Sequence, residues 1–486
     1  MKNDHFTLPK WYWNQGRVKQ CPLVIYLIAD MSELALLPNK ELLDQVVRQR
    51  KGELNAFLKE GVLATNSDGM TFFWVSVNTH QDPFHIHSSL AKVVKQLQSL
   101  AVSEVAVELC GEQAGRLAAS ALYAFLINNV NLIEHKAPKK PLWQHIYLKA
   151  PPGTKESCSK AYTLARANTL TRYLTIKAPN ELTPSVYREQ LKEFARTHNL
   201  SCQEWNESRL KKMGAGAFLA VSQGSANQQA AIVKISYQPK RAVNRIALVG
   251  KGICFDTGGH NLKPARYMHN MHEDMNGSAV VLGILQAAID LSLPVAIDAW
   301  FAVAENHLSP KAYKQNDIVT ALNGTTIEIV HTDAEGRMVL ADTLTLAERT
   351  KPNLIIDFAT LTGSMHVALG ARMSGLFVNR PDLVNLAIEA GVAMGERVVC
   401  FPAPDDYDEA LDSQVADVKQ CTLTGEADHI LAVRFLSKFI NNTPWIHMDL
   451  SASRNEGGLG AALSDVTGFG VLWGAQFIDS WAKKEL

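Results

Sequence analysis

Hydrophobic and polar positions repeat with two different periods along this chain. Short apolar runs that are rich in β-branched and aromatic residues predict strands over residues 23–29 and 71–77. Apolar residues that recur at helical spacing predict helices over residues 39–54 and 112–127. The first part of the chain is therefore predicted to be an α/β domain, and its sequence contains no nucleotide-binding fingerprint and no cluster of metal ligands.

A stretch rich in proline and glycine separates this part from the rest of the chain. The letters APPG at 150–153 and APNELTP at 178–184 lie on either side of a polar helical pattern. We therefore place a domain boundary near residue 165, with an N-terminal α/β domain over 1–165 and a second domain over 166–486. For the first domain we expect an assembly or regulatory role, because function often occupies only part of a chain.

The second part again alternates strands with helices, and its strands are apolar on both faces. The predicted strands cover 245–249, 295–303, 326–330, 354–360 and 445–450, and the predicted helices cover 277–291 and 338–349. Such strands, separated by helices, are typical of a mixed, largely parallel sheet between helix layers. Ligands of these sheets bind at the carboxyl ends of the strands.

Composition narrows the classes of protein further. The 486 residues suggest two or three domains, and 48 basic against 48 acidic residues leave no net positive charge with which to hold nucleic acid or an anionic membrane. No apolar run is long enough to span a bilayer, and the amino terminus lacks the apolar region of a signal peptide. Seven cysteines without a CxxC pair indicate a reducing compartment, so we expect a cytoplasmic protein.

Glycines directly follow the predicted strand 245–249, in the sequence GKGICFDTGG over 250–259. A phosphate-binding P-loop is excluded, because Gly252 stands where that motif needs Ser or Thr, and Arg245 stands where it needs its first glycine. What remains at this edge of the predicted sheet is a set of charged residues: Lys251, Asp256, Lys263, Glu273 and Asp274.

A second charged segment, HTDAEGR over 331–337, also lies between a predicted strand and a predicted helix. Asp333 and Glu335 are two residues apart, so in an extended loop both can turn toward one point, with Arg337 as a neighbouring cation. These carboxylates and those of the first segment would repel one another unless cations neutralise them. Oxygen-rich clusters bind divalent metals, and two metals about 3.5–4 Å apart are usual in hydrolases. Each residue alone is more often an ordinary turn, surface or helix-cap residue, so the metal hypothesis depends on their convergence.

Four longer motifs resemble those of one enzyme family: GKGICFDTGGHNLKP at 250–264, MHEDMNGSA at 271–279, HTDAEGRMVLADTL at 331–344 and DFATLTGSM at 357–365. They are similar to motifs of the leucyl aminopeptidase family, the two-metal cytosolic exopeptidases of the peptidase M17 type. The resemblance runs from about residue 165 to near the carboxyl terminus, and its TDAEGR segment is highly specific. The first domain fits the family only in size and α/β character.

Carried over position by position, the resemblance implies a set of metal ligands: Lys251, Asp256, Asp274, Asp333 and Glu335. Asp256 and Glu335 would bridge two ions. Lys251 and Asp274 would complete the tighter site, and Asp333 would serve the exchangeable one. The implied catalytic residues are Lys263 and Arg337, and Arg337 would hold a bicarbonate ion that shuttles a proton. The implied cofactors are two divalent ions per subunit, zinc or manganese or else magnesium or cobalt, and the implied assembly is a homohexamer.

The activity implied by the resemblance is removal of N-terminal residues from peptides, preferably leucine or another bulky apolar residue, by a hydroxide that bridges the metals. The expected partners are peptides with a free amino terminus, without membrane or nucleic acid. Two alternatives stay open, a two-metal dipeptidase such as a cysteinyl-glycine hydrolase and a moonlighting DNA-binding protein on an aminopeptidase scaffold. The sequence departs from the family at His331, where Asn is usual, at Asn276, where a small residue is usual, and at 426–429, where a glycine-containing run is usual.

Overall fold

The first part of the chain forms an α/β layer structure in the computed structural model, which describes residues 6–14, 20–30, 37–132, 135, 142–226, 229–240, 242 and 244–484. Within those residues one sheet contains β1 (Lys10–Trp13), β2 (Leu23–Ile28), β3 (Val62–Thr65), β4 (Thr71–Ser76), β5 (Glu104–Cys110) and β6 (His145–Lys149). Their order is β1-β6-β5-β2-β4-β3, and neighbours are parallel except for β3 and β4. The apolar runs predicted over 23–29 and 71–77 form β2 and β4.

Helices cover both faces of this sheet: α1 (Lys40–Arg50), α2 (Leu54–Glu60), α3 (Pro83–Leu97) and α4 (Ala118–Ile127). The helix predicted over 39–54 ends early, because Lys51 adopts a left-handed conformation with φ of 52° and a new helix begins at Leu54. The helix predicted over 112–127 begins as a short 3₁₀ helix, Glu112–Arg116, and continues as α4.

A single long helix connects the two parts of the chain. The helix α5 (Lys155–Ile176) runs through residue 165, where the sequence places the boundary. It packs against α4 and also against a helix of the second part, Asn276–Asp290. Apolar side chains of both parts consequently form one continuous cluster, from Leu8 to Ala482. The division into 1–165 and 166–486 stays a prediction, and the structure adds that one helix spans it.

The strands of the second part are β7 (Ser201–Asn206), β8 (Ala231–Tyr237), β9 (Arg245–Asp256), β10 (Ala296–Asn306), β11 (Ile318–Thr320), β12 (Thr326–Glu328), β13 (Leu354–Ala359), β14 (Ser374–Val378), β15 (Val398–Cys400), β16 (Val418–Lys419) and β17 (Trp445–Asp449). Across the described residues the main sheet has the order β15-β14-β17-β13-β9-β10-β8-β7. Its centre, from β17 to β10, is parallel, whereas β8, β7 and β14 pair antiparallel with their inner neighbours. The predicted mixed, largely parallel sheet is confirmed.

Helices form layers on both faces of this sheet: α6 (Pro184–Thr197), α7 (Glu207–Met213), α8 (Gly216–Ser222), α9 (Ala265–Met268), α10 (Asn276–Asp290), α11 (Glu335–Glu348), α12 (Gly363–Leu369), α13 (Pro381–Met394), α14 (Asp428–Ser437) and α15 (Val471–Lys484). Alternate residues of a strand face opposite sides. Ile246 and Leu248 of β9 join the cluster that contains α10, while Ala247 and Val249 join a second cluster with α8, α11 and α14. In the described part of the chain, no helix combines the length and the apolar character needed to cross a bilayer.

The structure differs from the sequence-based expectation at three places near the charged segments. Beyond the predicted strand 245–249, residues 250–256 continue β9, because glycines let α10 lie directly on the strand; a Cβ on Gly250 would lie 2.5 Å from Ser278 Cα. The strand predicted over 326–330 forms β12 but lies outside the main sheet, because it pairs with β11 and β16 in a separate small sheet. Glu335 does not lie in an extended loop but opens α11.

Candidate active site

A cleft of about 1140 Å³ opens at the carboxyl ends of β9 and β13. Its wall includes every residue that the sequence nominated for metal binding or catalysis: Lys251, Asp256, Lys263, Asp274, Asp333, Glu335 and Arg337. The first two belong to β9, Asp274 belongs to the short 3₁₀ helix before α10, and the last two open α11. Segments that are far apart in sequence thus bring their charged residues to one place.

Lys251 is the centre of the inner group of charges. Its Nζ donates to Asp274 Oδ1 at 2.8 Å and to Thr360 O at 3.0 Å, and it lies 2.8 Å from Glu335 Oε1. The side chains of Lys251, Asp274 and Glu335 are 3%, 7% and 2% exposed. Burial alone would lower the pKa of Lys251, but the surrounding carboxylates raise it above its ordinary value.

Lys263 is the centre of the outer group. Its Nζ lies 2.8 Å from Asp256 Oδ2 and 2.5 Å from Asp333 Oδ1. Burial opposes the charge of Lys263, yet the carboxylates of Asp256, Glu335 and Asp333 raise its pKa. The two lysines therefore compensate the carboxylates that would otherwise repel one another.

The carboxylates nevertheless remain crowded. Burial raises the pKa of Asp274 to about 8, with Glu335 and Asp256 adding to the rise and Lys251 opposing it. Burial likewise raises the pKa of Asp333 to about 7, and the charges of Asp256 and Glu335 act in the same direction. The charges of neighbouring carboxylates thus add to burial in disfavouring the ionised form of both groups.

The donor set fits divalent cations. One oxygen from each of Asp256, Asp333 and Glu335 lies within 4.8 Å of the others. Asp274 Oδ2 and Glu335 Oε2 are buried and accept no hydrogen bond from any residue that the structure describes. A buried carboxylate oxygen without a donor is costly, and an ion can satisfy it. Hard cations such as Mg²⁺ or Mn²⁺ prefer oxygen ligands, and Zn²⁺ also accepts carboxylates.

Arg337 has a different environment from the other predicted residues. Its Nη2 donates to both carboxylate oxygens of Asp428 at 2.8 Å, and its Nη1 donates to Gln420 O at 3.0 Å. Burial would lower the pKa of Arg337, but the Asp428 carboxylate raises it. The guanidinium that was expected to hold bicarbonate is thus bound to a carboxylate of the chain itself.

Sequence reasoning missed several residues that support the site. Asn306 Nδ2 donates to Asp256 Oδ1 at 2.9 Å, and a register shift between Ala304 and Asn306 brings it opposite Asp256. Thr360 Oγ1 donates to Asp274 Oδ1 at 2.7 Å. A polar residue at the end of an apolar strand, as Asn306 is in β10, or directly after one, as Thr360 is after β13, is the signal that could have revealed both.

The rest of the cleft wall combines polar and apolar side chains. Met271, Leu361 and the half-exposed Leu262 supply apolar surface.

His331 is one of the positions where the sequence departs from the family motif. Its Nδ1 accepts a hydrogen bond from Asp333 N at 3.2 Å. Burial and the charge of Lys263 lower the pKa of His331, which favours the neutral form of its ring.

Comparisons with known proteins agree with the motifs. A sequence profile described as "Cytosol aminopeptidase family, catalytic domain" matches residues 169–473. A probable cytosol aminopeptidase from Stutzerimonas stutzeri is 41% identical over 304 residues, 62% of this chain and 61% of the relative. One from Roseiflexus castenholzii is 38% identical over 357 residues, 71% of this chain and 73% of the relative. The alignment thus spans about three fifths of the first relative and almost three quarters of the second.

A solved structure resembles this chain over most of its length. The bottromycin maturation enzyme BotP, in complex with Mn, superposes with a TM-score of 0.83 at 27% identity, covering 95% of this chain and all of that one. The profile match covers well over half of the chain, and it includes every residue discussed above as a metal ligand or a catalytic residue. The resemblance predicted from the motifs is therefore confirmed, and the chain belongs to the cytosol aminopeptidase family.

Proposed function

We propose that this protein is a metal-dependent aminopeptidase that removes N-terminal residues, preferably leucine or other bulky apolar ones, from peptides. The observation that carries the proposal is the convergence of four carboxylates and two lysines in one cleft, with two buried carboxylate oxygens left without donors. Such crowding is stable only where cations relieve it. Family membership supplies the kind of reaction.

The ligand assignment follows the two groups of charges. Lys251 and Asp274 would hold the inner ion, Asp333 would hold the outer one, and Asp256 and Glu335 would bridge them. Lys251 would have to bind as the neutral amine, so loading the inner site releases its proton. Divalent ions held there would acidify a water and bind the free α-amine of a peptide, which restricts hydrolysis to the first residue.

The chain's own residues orient the substrate around that centre. Lys263 remains an ammonium beside Asp256 and Asp333, so it can stabilise the negative charge that develops on the scissile carbonyl oxygen. The apolar surface of Met271, Leu262 and Leu361 favours a bulky apolar first side chain.

The compartment and the assembly are finer parts of the proposal. Free thiols at Cys158, Cys202, Cys254, Cys400 and Cys421 support a reducing, cytoplasmic compartment.

The proposed homohexameric assembly is supported by the family resemblance. Light scattering of the purified protein tests it, because the expected mass is six times that of one chain.

Metal analysis of a ligand variant tests the central assignment. Glu335→Ala removes a proposed bridging ligand, so elemental analysis should find the loss of most bound metal and hydrolysis of a leucyl peptide should almost cease. Glu389→Ala, which changes a glutamate of α13 outside the cleft, is the matched control and should keep both. Two tightly held ions in Glu335→Ala would show that the ligands are wrongly assigned.

Blocking the substrate's amino terminus tests the reaction class. An acetylated amine is a poor metal ligand, so the N-acetyl form of the same leucyl peptide should be refused. Discrimination should be large, because the acetyl group removes a bond to the centre and adds bulk beside its carboxylates. Comparable rates for the two peptides would exclude an aminopeptidase while leaving the metal centre intact.

A further inference from the structure

The guanidinium of Arg337 is the place where the family resemblance and this structure disagree. Its Nη2 donates to both oxygens of Asp428, and Nη1 donates to Gln420 O. Nε is buried and has no partner among the described residues. Two of the three guanidinium nitrogens are therefore already engaged, Nη2 by a carboxylate and Nη1 by a carbonyl oxygen.

A bicarbonate ion does not fit beside this pair. Bicarbonate and carboxylate present the same planar pair of oxygens to a guanidinium, so they compete for the same N–H groups. A bicarbonate ion would have to displace Asp428 or lie next to its negative charge, and like charges repel strongly in a partly buried cleft. The side chains present thus leave the implied cofactor without its expected partner.

The backbone around Asp428 holds its carboxylate in this position. Asp428 is the first residue of α14, and the residue before it, Ala427, adopts a left-handed conformation with φ of 51°. That conformation costs a non-glycine residue about 1 kcal/mol or more, so surrounding contacts must maintain it. One such contact joins α14 to α12, because His429 N donates to Ser364 Oγ at 2.8 Å.

The exposure of the two partners is also informative. The side chain of Arg337 is 2% exposed, whereas that of Asp428 is 22% exposed, and both line the cleft. The guanidinium therefore lies underneath and the carboxylate lies toward the space where a peptide would bind. A carboxylate that is fixed by a buried cation and open to the cleft can accept a proton there.

We propose that Asp428 acts in place of dissolved bicarbonate as the proton acceptor of this site, a proposal that rests on the proposed aminopeptidase function. As the oxygen of the attacking water bonds to the scissile carbonyl carbon, an O–H bond of that water breaks and its proton moves to Asp428. When the C–N bond breaks, the same proton moves to the leaving amine nitrogen. Asp428 ends the cycle as a carboxylate, and Arg337 positions it throughout.

The intact protein provides the first test. In CO₂-free buffer the manganese-loaded wild type should hydrolyse a leucyl peptide at the same rate as in buffer with added bicarbonate. Titration calorimetry, with bicarbonate as the probe and no peptide present, should detect no binding to the wild type. Saturable binding together with a several-fold stimulation of hydrolysis would overturn the proposal.

Two variants separate the roles of shape and charge. Asp428→Ala frees the guanidinium, so turnover in CO₂-free buffer should fall about 100-fold, bicarbonate should now bind, and bicarbonate or formate should restore part of the rate. Asp428→Asn still accepts a hydrogen bond from Arg337 but is a poor proton acceptor, so it should lose turnover without rescue. Asp382→Ala removes an exposed aspartate that pairs with Arg380 and is the matched control, with no change expected.

The outcomes distinguish this proposal from the one on which it rests. If Asp428→Ala kept the wild-type rate in CO₂-free buffer, Asp428 would not be the proton acceptor, although the aminopeptidase function would stand. If no form of the protein cleaved any peptide, the proposed function would fail, and the proton-acceptor role with it. The calorimetric comparison would still report whether Asp428 excludes an anion from Arg337. If both variants failed to fold, the bicarbonate response of the wild type would decide.

Discussion

At the scale of single residues, Lys263 shows how the cleft divides its charges. Its ammonium touches one carboxylate of the proposed bridging pair, Asp256, and the carboxylate of Asp333. These contacts raise its pKa, which favours the ammonium form. An ammonium can stabilise an oxyanion but cannot take a proton from water, so we propose Lys263 as an electrophile and not as a base.

The electrophile role predicts the effect of Lys263→Ala. Removing a group that acts on developing charge should lower kcat by about 10²–10³-fold, with little change in KM. Steady-state kinetics on a leucyl peptide, with metal content measured on the same sample, checks the prediction, and the exposed Lys311→Ala serves as the control. A raised KM at unchanged kcat would instead indicate that Lys263 contributes to substrate binding and not to stabilisation of the transition state.

At the scale of elements, the site depends on how closely α10 approaches the sheet. A Cβ on Gly277, in the first turn of α10, would lie 2.1 Å from Phe358 O of β13. The helix can therefore lie against the strand only because this residue has no side chain. Asp274 precedes Gly277 by three residues, so the same approach brings its carboxylate to Lys251.

The close approach predicts that Gly277→Ala both destabilises the fold and weakens metal binding. Overpacking of this kind costs about 1–3 kcal/mol, and the displaced helix would move Asp274 away from its partners. Urea unfolding and calorimetric metal titration measure the two effects. Gly153→Ala is the matched control, because a Cβ there would meet nothing within 4 Å. Equal stability of Gly277→Ala and wild type would show that α10 adapts without cost.

The elements differ in how well the sequence predicts them. The strands around 246–249 and 354–359 are apolar on both faces, and that pattern by itself indicates a buried parallel sheet. The sequence did not predict that β9 continues through Lys251. Two glycines and a charged residue are typical of a loop, and only the structure shows that these glycines make room for α10. The ion pair of Arg337 with Asp428 could not be predicted for a different reason. The two residues are 91 positions apart, and no local sequence pattern indicates a contact over that distance.

At the scale of the whole molecule, crowded carboxylates should link metal binding to stability. Ions that bind only the folded chain stabilise it by mass action, by about 2.7 kcal/mol at a free concentration 100 times Kd. Without ions, burial and the neighbouring carboxylates raise the pKa of Asp274 and Asp333, so their ionised forms are disfavoured. Folding and loading of the site are therefore expected to be coupled.

This coupling predicts that manganese raises Tm in proportion to the logarithm of its concentration. Differential scanning calorimetry of the EDTA-treated protein, titrated with Mn²⁺, measures the rise. The same titration of Glu335→Ala should give almost none, since a proposed bridging ligand is missing. An equal rise in both proteins would place the stabilising ions outside the cleft.

The core that the two parts share also bears on the order in which the chain is made. The cluster that includes Leu8 and the residues of α5 is completed by Trp473, Phe477 and Trp481 of α15. During synthesis α5 therefore emerges long before α15, the last helix to pack against it. Domains usually fold as units while translation proceeds, but the apolar side chains of α5, α10 and α13 that contact α15 stay uncovered until this last helix leaves the ribosome. A premature stop before residue 471 would remove a packing partner from all three helices.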